Sequence, residues 1–249
     1  MRQLLPTSND DIDATEPYIT AARTGPRGDL PWVAVNMIAS LDGATAIKGR
    51  SASLGGPADK AIFMALRSVA DVIVVGAGTV RAEHYGAPVL PEAEQDRRQR
   101  RGQSRLPRLA IVTGSLDLDA EGPIFSQPAS RPIIITSTAS PAAVRARLAT
   151  AADVIAEGTD DLDLAAACRA LRHDHGAGVV LCEGGPTLNG ALLAADLVEE
   201  LCLTVAPTLV GGTSDRIAFG PEHTRALTLA HLLEEDGMLF ARYLRSAVQ

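Results

Sequence analysis

Aromatic residues are scarce in this chain of 249 residues, where Phe, Trp and Tyr together make up only 3%. A buried core must therefore rest on Val, Leu, Ile and Ala, which favours helices packed on a parallel sheet over an aromatic-rich β-sandwich. Hydrophobic residues make up 46% and charged residues 21%, values typical of soluble globular proteins, which excludes wholesale disorder. The length is sufficient for one large α/β domain.

Cysteine is also rare, and no Cys-x-x-Cys spacing occurs. Cys168, Cys182 and Cys202 lie within apolar or helical patterns, so we expect buried, reduced thiols rather than disulfides or a metal site. No metal-binding residues are predicted. The chain also contains no His-x-Glu with Pro-Cys-x-x-Cys, the signature of the zinc deaminases.

Positive charge is in deficit, with a formal net charge of -7 and a pI near 5.2. We therefore expect no nucleic-acid partner, because such binding requires a cationic surface. The basic run from Arg97 to Arg105 is interpreted as a solvated loop. No apolar span reaches 18 residues and the N-terminus has no signal-peptide core, so we expect a cytoplasmic protein without a membrane partner.

Apolar runs and helical patterns alternate along the chain, which predicts right-handed crossovers and a mostly parallel sheet. Residues 1–28 are predicted to be a polar leader, followed by a single domain over residues 29–249. The last strand is predicted to be antiparallel, at or near an edge. Strands are predicted at 32–40, 71–80, 108–113, 131–137, 153–157, 178–185, 199–212 and 236–245, and helices at 58–69, 141–151, 163–175 and 186–195.

Two glycine turns, "VVGAGTV" (Val74 to Val80) and "CEGGPTL" (Cys182 to Leu188), stand where predicted strands end. Ligands of open α/β sheets bind beyond the carboxyl ends of the strands. Glycine lets a ligand approach the backbone, and the following helix N-terminus favours a phosphate. One such turn is ordinary, but two in one chain indicate a dinucleotide. The Rossmann pattern G-x-G-x-x-G is absent.

Carboxylates and other polar residues accompany these turns. Asn36, Ser40 and Asp42 cluster at the end of the first apolar run, where Asp-Gly is compatible with a plain turn and Ser-Leu-Asp with a cap. Glu183 ends another apolar run. It is compatible with three roles, namely stabilising an amide cluster, binding a cation or binding a polar substrate, and the residues alone leave these alternatives open.

Together these motifs resemble the pyrimidine reductases of riboflavin biosynthesis, which have the dihydrofolate-reductase-like fold. The specific combination is S-L-D-G, then V-G-x-G-T, then E-G-G-P-T-L. The resemblance implies a three-layer α/β sandwich with a mostly parallel central sheet and an antiparallel C-terminal strand, and commonly a homodimer. The matching segments are "VAVNMIASLDGATA", "GRSASLGGPADKAIFMALRSVADVIVVGAGTVRAE", "GVVLCEGGPTLNGALLAADLVEELCLTVAPTLVGG" and "FARYL".

The resemblance implies hydride transfer from NADPH to the ribosylamino group of a phosphorylated pyrimidine, which becomes a ribitylamino group. It implies that Asp42 and Glu183 are catalytic. The substrate-binding residues that it implies are Asn36, Ser40, Ser51, Arg67 and Glu83. The cofactor-binding residues that it implies are Thr45, Ser53, Val75, Gly76, Gly78, Thr79, Gly184, Gly185, Pro186, Thr187 and Leu188.

The chain departs from the family pattern at three places. Asn36 stands where many members have Lys, "SLG" (Ser53 to Gly55) replaces the usual W-I-T, and "EHY" (Glu83 to Tyr85) replaces an acidic pair followed by proline. Two alternatives therefore stay open. One is a reductase of the same fold that acts on a pterin or dihydrofolate, and the other is a non-catalytic NADPH-binding protein.

Overall fold

The computed structural model describes residues 1–23, 28–119, 122, 124–125 and 130–246. No helix within these ranges is both long and apolar enough to cross a membrane. The described chain divides into two compact units. The first comprises Met1–Arg23, Trp32–Leu66 and residues 182–246, and the second comprises residues 28–31 and 67–181 as far as they are described.

The first unit contains the strands β1 (Arg2–Leu5), β2 (Trp32–Ser40), β8 (Glu200–Ala206), β9 (Leu227–Glu235) and β10 (Met238–Arg245). They lie side by side in the order β1, β9, β10, β8, β2. β2 and β8 are parallel, whereas β10 pairs antiparallel with both β8 and β9, and β1 pairs antiparallel with β9. The parallel pair runs in register from Ala34 beside Glu200 to Ser40 beside Ala206.

The helices of the first unit are α1 (Glu16–Ile19), a single 3-10 turn (Ser51–Ser53), most of α2 (Pro57–Val69) and α7 (Pro186–Ala194). β9 and β10 form a hairpin whose turn residues Asp236 and Gly237 have φ angles of 53° and 78°. Two successive positive φ angles in an Asp-Gly pair are typical of a type I′ turn, which suits the twist of a hairpin.

The second unit contains β3 (Val72–Gly76), β4 (Arg108–Val112), β5 (Ile133–Thr136), β6 (Asp153–Ala156) and most of β7 (Val179–Cys182). Their order is β7, β3, β4, β5, β6, and the three pairs from β3 to β6 are parallel. The helices are α3 (Ala77–Ala82), α4 (Glu92–Arg100), α5 (Ala142–Leu148) and α6 (Leu164–His173).

Local chemistry accounts for these elements. All four residues of β5 are buried, as expected for an Ile-rich strand of a parallel sheet covered on both faces. α6 begins where the Asp163 carboxylate accepts the amide of Ala166 at 2.9 Å. The predicted α/β class, mostly parallel with an antiparallel C-terminal strand, is confirmed. The three cysteines are buried free thiols, as predicted, and burial raises the pKa of Cys168 to about 12.

Several sequence-based boundaries were wrong. The run 71–80, predicted to be a strand that ends in a glycine turn, is a strand as far as Gly76 and then enters α3, where Ala77 and Val80 are buried three residues apart, the spacing of one helix face. The strand predicted over 199–212 stops at Ala206, before a proline that cannot donate to a ladder. β9 was not predicted. The run Arg97 to Arg105 is not a loop but is helical as far as Arg100.

The N-terminal residues take part in the first unit. β1 pairs with β9, and Tyr18 of α1 is buried. Residues 24–27 of the predicted leader lie outside the described residues. The division into a leader and a single domain at residue 28 stays a prediction.

Candidate active site

The loop after β2 holds Asp42 in a defined set of hydrogen bonds. The Ser40 hydroxyl donates to Asp42 Oδ1 at 2.5 Å and accepts the amide of Ala44 at 2.9 Å. The amides of Gly211 and Val210 donate to the two Asp42 oxygens at 2.7 and 3.1 Å. The Ser40 hydroxyl, followed by these amides, lowers the pKa of Asp42 to about 2. Its carboxylate is therefore charged at neutral pH.

The segment 207–226, between β8 and β9, contacts the same loop again at Thr45. The Thr45 amide donates to Ser214 Oγ at 3.0 Å, and its hydroxyl donates to the carbonyl oxygen of Asp215 at 3.0 Å. Both hydrogen-bond donors of Thr45, the backbone N–H and the hydroxyl, are thus used inside the protein. A ligand that contacts this side chain must donate to the lone pairs of Oγ1 or pack against the methyl group.

Glu183 lies directly after β7, at the start of the turn into α7. It is only 7% exposed, which is rare for a glutamate. Gly184 and Gly185 follow with φ angles of 96° and 31°, which side chains rarely adopt, and Pro186 occupies the first position of α7. A Cβ atom on Gly184 would lie 3.0 Å from the sulfur of Met37 in β2. The turn therefore depends on both glycines.

The first turn of α7 offers a ligand backbone amides more than side chains. Leu188 is buried, whereas Thr187 is exposed. The first amides of a helix lack intrahelical partners and favour an anion. Of these two predicted cofactor-binding residues, Leu188 can contribute its amide to a bound anion, and Thr187 can contribute both its amide and its hydroxyl.

Asn36, Ser51 and Ser53 complete the predicted set in the first unit. Asn36 is half-buried and lies on the same face of β2 as Ser40, because side chains in a strand alternate between its faces. Ser51 and Ser53 form the ends of the 3-10 turn, where Ser53 is exposed. The structure thus joins Ser40 with Asp42 and places Ser51 and Ser53 in one 3-10 turn, whereas Asn36 shares a face of β2 with Ser40 but lies four residues before it.

In the second unit, the predicted phosphate turn is the beginning of α3. Val75 is fully buried in β3, and Gly76 precedes the helix in an extended conformation. Gly78 is exposed, and a Cβ atom placed on it would meet nothing within 4 Å. Thr79 is half-buried in the same turn. Val75 can offer a ligand only its backbone, whereas Gly78 permits close approach to the main chain.

Arg67 meets the loop that follows α3. Its guanidinium carbon lies 5.8 Å from the centre of the Tyr85 ring, within the range of a cation–π contact. Glu83 caps the end of α3, and His84 follows with a φ angle of 54°. The "EHY" departure from the family pattern therefore places an aromatic ring against the arginine that is predicted to bind substrate.

The basic run caps the end of α2, a role that its charge pattern did not predict. Arg98 is completely buried, and its Nη1 donates to the carbonyl oxygens of Ala70 at 2.6 Å and Ser68 at 3.1 Å. Arg101 donates to the same Ser68 oxygen at 2.6 Å. The last carbonyls of a helix lack intrahelical partners, so cations stabilise them. These arginines thus support the helix turn that carries Arg67.

Polar residues of this chain cluster at the carboxyl ends of parallel strands, which is where α/β proteins bind their ligands. The chain therefore belongs to the structural class of ligand-binding α/β proteins. The RibD C-terminal domain model matches residues 31–237, and the chain belongs to that family. The family predicted from the sequence is confirmed.

Two archaeal relatives are both named 2,5-diamino-6-ribosylamino-4(3H)-pyrimidinone 5′-phosphate reductase. The protein from Archaeoglobus fulgidus is 29% identical over 183 residues, which cover 73% of this chain and 83% of the relative. The protein from Methanothermobacter thermautotrophicus is 30% identical over 190 residues, which cover 75% and 82%. A crystal structure of a pyrimidine reductase-like protein from Corynebacterium diphtheriae matches with a TM-score of 0.82 at 28% identity, covering 94% of this chain and 99% of that one.

Proposed function

We propose that this chain is an NADPH-dependent reductase that converts the ribosylamino group of a phosphorylated aminopyrimidine into a ribitylamino group in riboflavin biosynthesis. The observation that carries the proposal is the match to the two archaeal reductases. It covers more than four-fifths of each relative, at 29% and 30% identity.

The described residues fit a nicotinamide dinucleotide. Gly184 and Gly185 have positive φ angles ahead of a helix N-terminus, and Gly78 leaves its backbone open to close approach. When bound, NADPH would supply the hydride. The residues proposed to bind it are Thr45, Ser53, Val75, Gly76, Gly78, Thr79, Gly184, Gly185, Pro186, Thr187 and Leu188.

Asp42 and Glu183 are the proposed catalytic residues, with different tasks. Reduction at C1′ of the opened ribose requires a proton as well as a hydride. Asp42 is charged at neutral pH because its pKa is about 2, so it does not donate that proton. It instead provides negative charge and holds the Ser40 hydroxyl, whereas the buried Glu183 carboxylate contacts the substrate. The residues proposed to bind the substrate are Asn36, Ser40, Ser51, Arg67 and Glu83.

The location and assembly state belong to the same proposal. We propose a homodimer that acts in the cytoplasm. All three cysteines are free thiols, which suits a reducing compartment.

Complementation tests the proposed function in cells. The gene is introduced into a riboflavin auxotroph that lacks its pyrimidine reductase, and in parallel into a strain that lacks dihydrofolate reductase. We expect growth without riboflavin in the first strain and no rescue of the second. Rescue of the folate defect alone would replace the proposal with the pterin or dihydrofolate alternative. Specific NADPH binding without rescue or turnover would support the non-catalytic alternative.

A further inference from the structure

The segment 207–226 has no helix or strand, although it joins two long strands of the first unit. Loops of this length inside a compact unit are uncommon and usually serve a function. This one is hydrogen-bonded to Asp42 and Thr45 in the loop after β2. It also contacts the beginning of α7, so it touches both loops of the first unit that carry the predicted catalytic residues.

Asn189 makes the contact with α7. It is 4% exposed, and its Nδ2 donates to the carbonyl oxygen of Ile217 at 2.7 Å. Its Oδ1 accepts the thiol hydrogen of Cys182 at 3.2 Å. The backbone N–H of Asn189 donates to the carbonyl oxygen of Gly185 at 3.0 Å. One buried side chain thus joins the residue before Glu183 to the long segment.

The backbone packing around Asn189 leaves little freedom. The Phe219 amide donates to the carbonyl oxygen of Pro186 at 2.9 Å. A Cβ atom on Gly190 would lie 2.0 Å from the carbonyl oxygen of Phe219, so only glycine allows this approach. The segment therefore lies directly against the first turn of α7, and Asn189 is the side chain that fastens them together.

We propose that Asn189 is a positioning residue, which holds the Glu183–Gly185 turn in its reactive geometry through the carbonyl group of Ile217. The expected effect of Asn189 on kcat rests on the proposed function, whereas its expected effect on the structure of the Glu183–Gly185 turn does not. Nothing in the sequence patterns singled out Asn189, because an asparagine in the first turn of a helix is an ordinary residue.

Three variants isolate this contact. Asn189→Ala removes both side-chain hydrogen bonds, whereas Cys182→Ala removes the weak thiol bond to Asn189 and keeps the bond between Asn189 and Ile217. Arg225→Gln is the matched control, since it weakens the other end of the same segment, where Arg225 pairs with Asp196. If Asn189→Ala does not fold, Asn189→Ser, which keeps a hydroxyl group at the site, replaces it in every measurement.

Hydrogen exchange measured by mass spectrometry on peptides that span 183–188 decides the inference without any substrate. Local opening raises amide exchange wherever a fastening contact is lost. We expect Asn189→Ala to speed exchange in these peptides about tenfold or more, Cys182→Ala to speed it less, and Arg225→Gln to leave it near the wild-type rate. Unchanged exchange in Asn189→Ala, or an equal increase in Arg225→Gln, would overturn the inference.

Steady-state kinetics add the consequence for the reaction. We expect kcat of Asn189→Ala to fall about tenfold to a hundredfold, because displacing a catalytic group by about 1 Å has effects of this size. KM for NADPH should rise by a smaller factor than kcat falls, since Gly184 and Gly185 of the same turn are proposed to bind NADPH, and Arg225→Gln should keep kcat. Wild-type protein without turnover would refute the proposed function, while the exchange result still decides the role of Asn189. Wild-type turnover with an unaffected kcat in Asn189→Ala would refute the inference alone.

Discussion

The parallel strands β2 and β8 of the first unit begin at one edge and end at the other, and the two edges differ in chemistry. At the starting edge, Glu200 is completely buried among charged partners. At the finishing edge, Asp42 is exposed and accepts hydrogen bonds from a hydroxyl group and two amides. Both edges hold a carboxylate with a low pKa, so the difference lies in what surrounds each one.

The starting edge is saturated with side-chain donors. Arg23 binds both oxygens of Glu200 at 2.9 Å, while Trp32 and Arg242 donate to them at 2.9 and 2.8 Å. Burial raises the pKa of Glu200, but the attraction of Arg23 and the hydrogen bonds from both arginines lower it to about 2. Burial, and then Arg242, lowers the pKa of the neighbouring His231 to about 4, so this histidine is neutral at pH 7.

The finishing edge is built from loops and backbone. Ser40 ends β2, and the segment 207–226 follows β8 and returns to bind Asp42 and Thr45. In parallel sheets, function gathers where strands end and stability where they begin. A low carboxylate pKa therefore does not by itself identify a functional residue. The groups around the carboxylate decide whether it serves the reaction or the stability of the fold.

The largest effect is expected at the starting edge. Glu200→Gln leaves two buried guanidinium groups without their counter-charge, and breaking a buried pair in this way costs about 3–5 kcal/mol. Urea denaturation should show this loss in the free energy of unfolding. Glu234→Gln, which breaks the ion pair between Glu234 and the exposed Arg2, is the control and should lose far less. Equal losses in the two variants would contradict the structural role of Glu200.

Acid should unfold the protein through the same group. The pKa of Glu200 is about 2 in the folded state and 4.5 as the ordinary value. Its contribution is therefore complete above about pH 4.5 and is lost as the pH falls towards about 2. The free energy of unfolding measured across this window should decline in the wild type and decline less in Glu200→Gln. Parallel curves for the two proteins would assign the acid sensitivity to other carboxylates.

The next largest effect is expected at Glu183. Glu183→Gln keeps the shape of the turn and removes the charge, so kcat should fall about a hundredfold, the usual loss when a transition-state contact is removed. The free energy of unfolding should change by less than about 1 kcal/mol. Matched rate assays and urea denaturation check both values. An equal fractional loss of stability and activity would make Glu183 a structural residue like Glu200.

A smaller effect is expected from Gly185→Val, which places a side chain at a positive φ angle and covers the backbone at the start of α7. NADPH binding, measured by fluorescence titration, should weaken about tenfold, equal to about 1.4 kcal/mol. Gly102→Val is the control for backbone strain, because Gly102 has a φ angle of 79° with open space around it. Unchanged NADPH affinity in Gly185→Val would place the turn outside the cofactor site.

The smallest effect is expected from Asp42→Asn. The amide keeps one oxygen acceptor for the Ser40 hydroxyl or a backbone amide, so kcat/KM should fall by less than about tenfold. Because the pKa of Asp42 is about 2, its ionisation should leave no inflection in the rate between about pH 5 and pH 8. A pH–rate profile of both proteins checks this. An inflection that disappears in Asp42→Asn would make Asp42 a proton donor.

Much of the fold could be predicted from local patterns. Runs such as Val-Ile-Val-Val and Ile-Ile-Ile predicted β3 and β5, and the glycine turn at Glu183 marked the start of α7. The β9–β10 hairpin carried the Asp236-Gly237 signal between two apolar runs, but in the sequence that pair predicted only the beginning of the last strand.

The remaining features depend on tertiary contacts that no local pattern records. α4 reads as a solvated charged run, and only the packing shows that Arg98 is buried against the end of α2. The Glu200 cluster likewise draws on Arg23 and Arg242, which are remote from each other in sequence. Asn189 and its partner Ile217 are separated by β8 and part of the segment 207–226.

Deuterium transfer tests the central claim most directly, namely that the finishing edge performs the reduction and the starting edge supports it. NADPH that carries deuterium at both C4 positions of the nicotinamide is mixed with a ribosylaminopyrimidine phosphate and the wild type, Glu183→Gln or Glu200→Gln, each at a temperature where circular dichroism shows it folded. We predict one deuterium at C1′ of the product, formed at near wild-type rate by Glu200→Gln and far more slowly by Glu183→Gln. A product without deuterium at C1′, or a folded Glu200→Gln that is as slow as Glu183→Gln, would contradict the account.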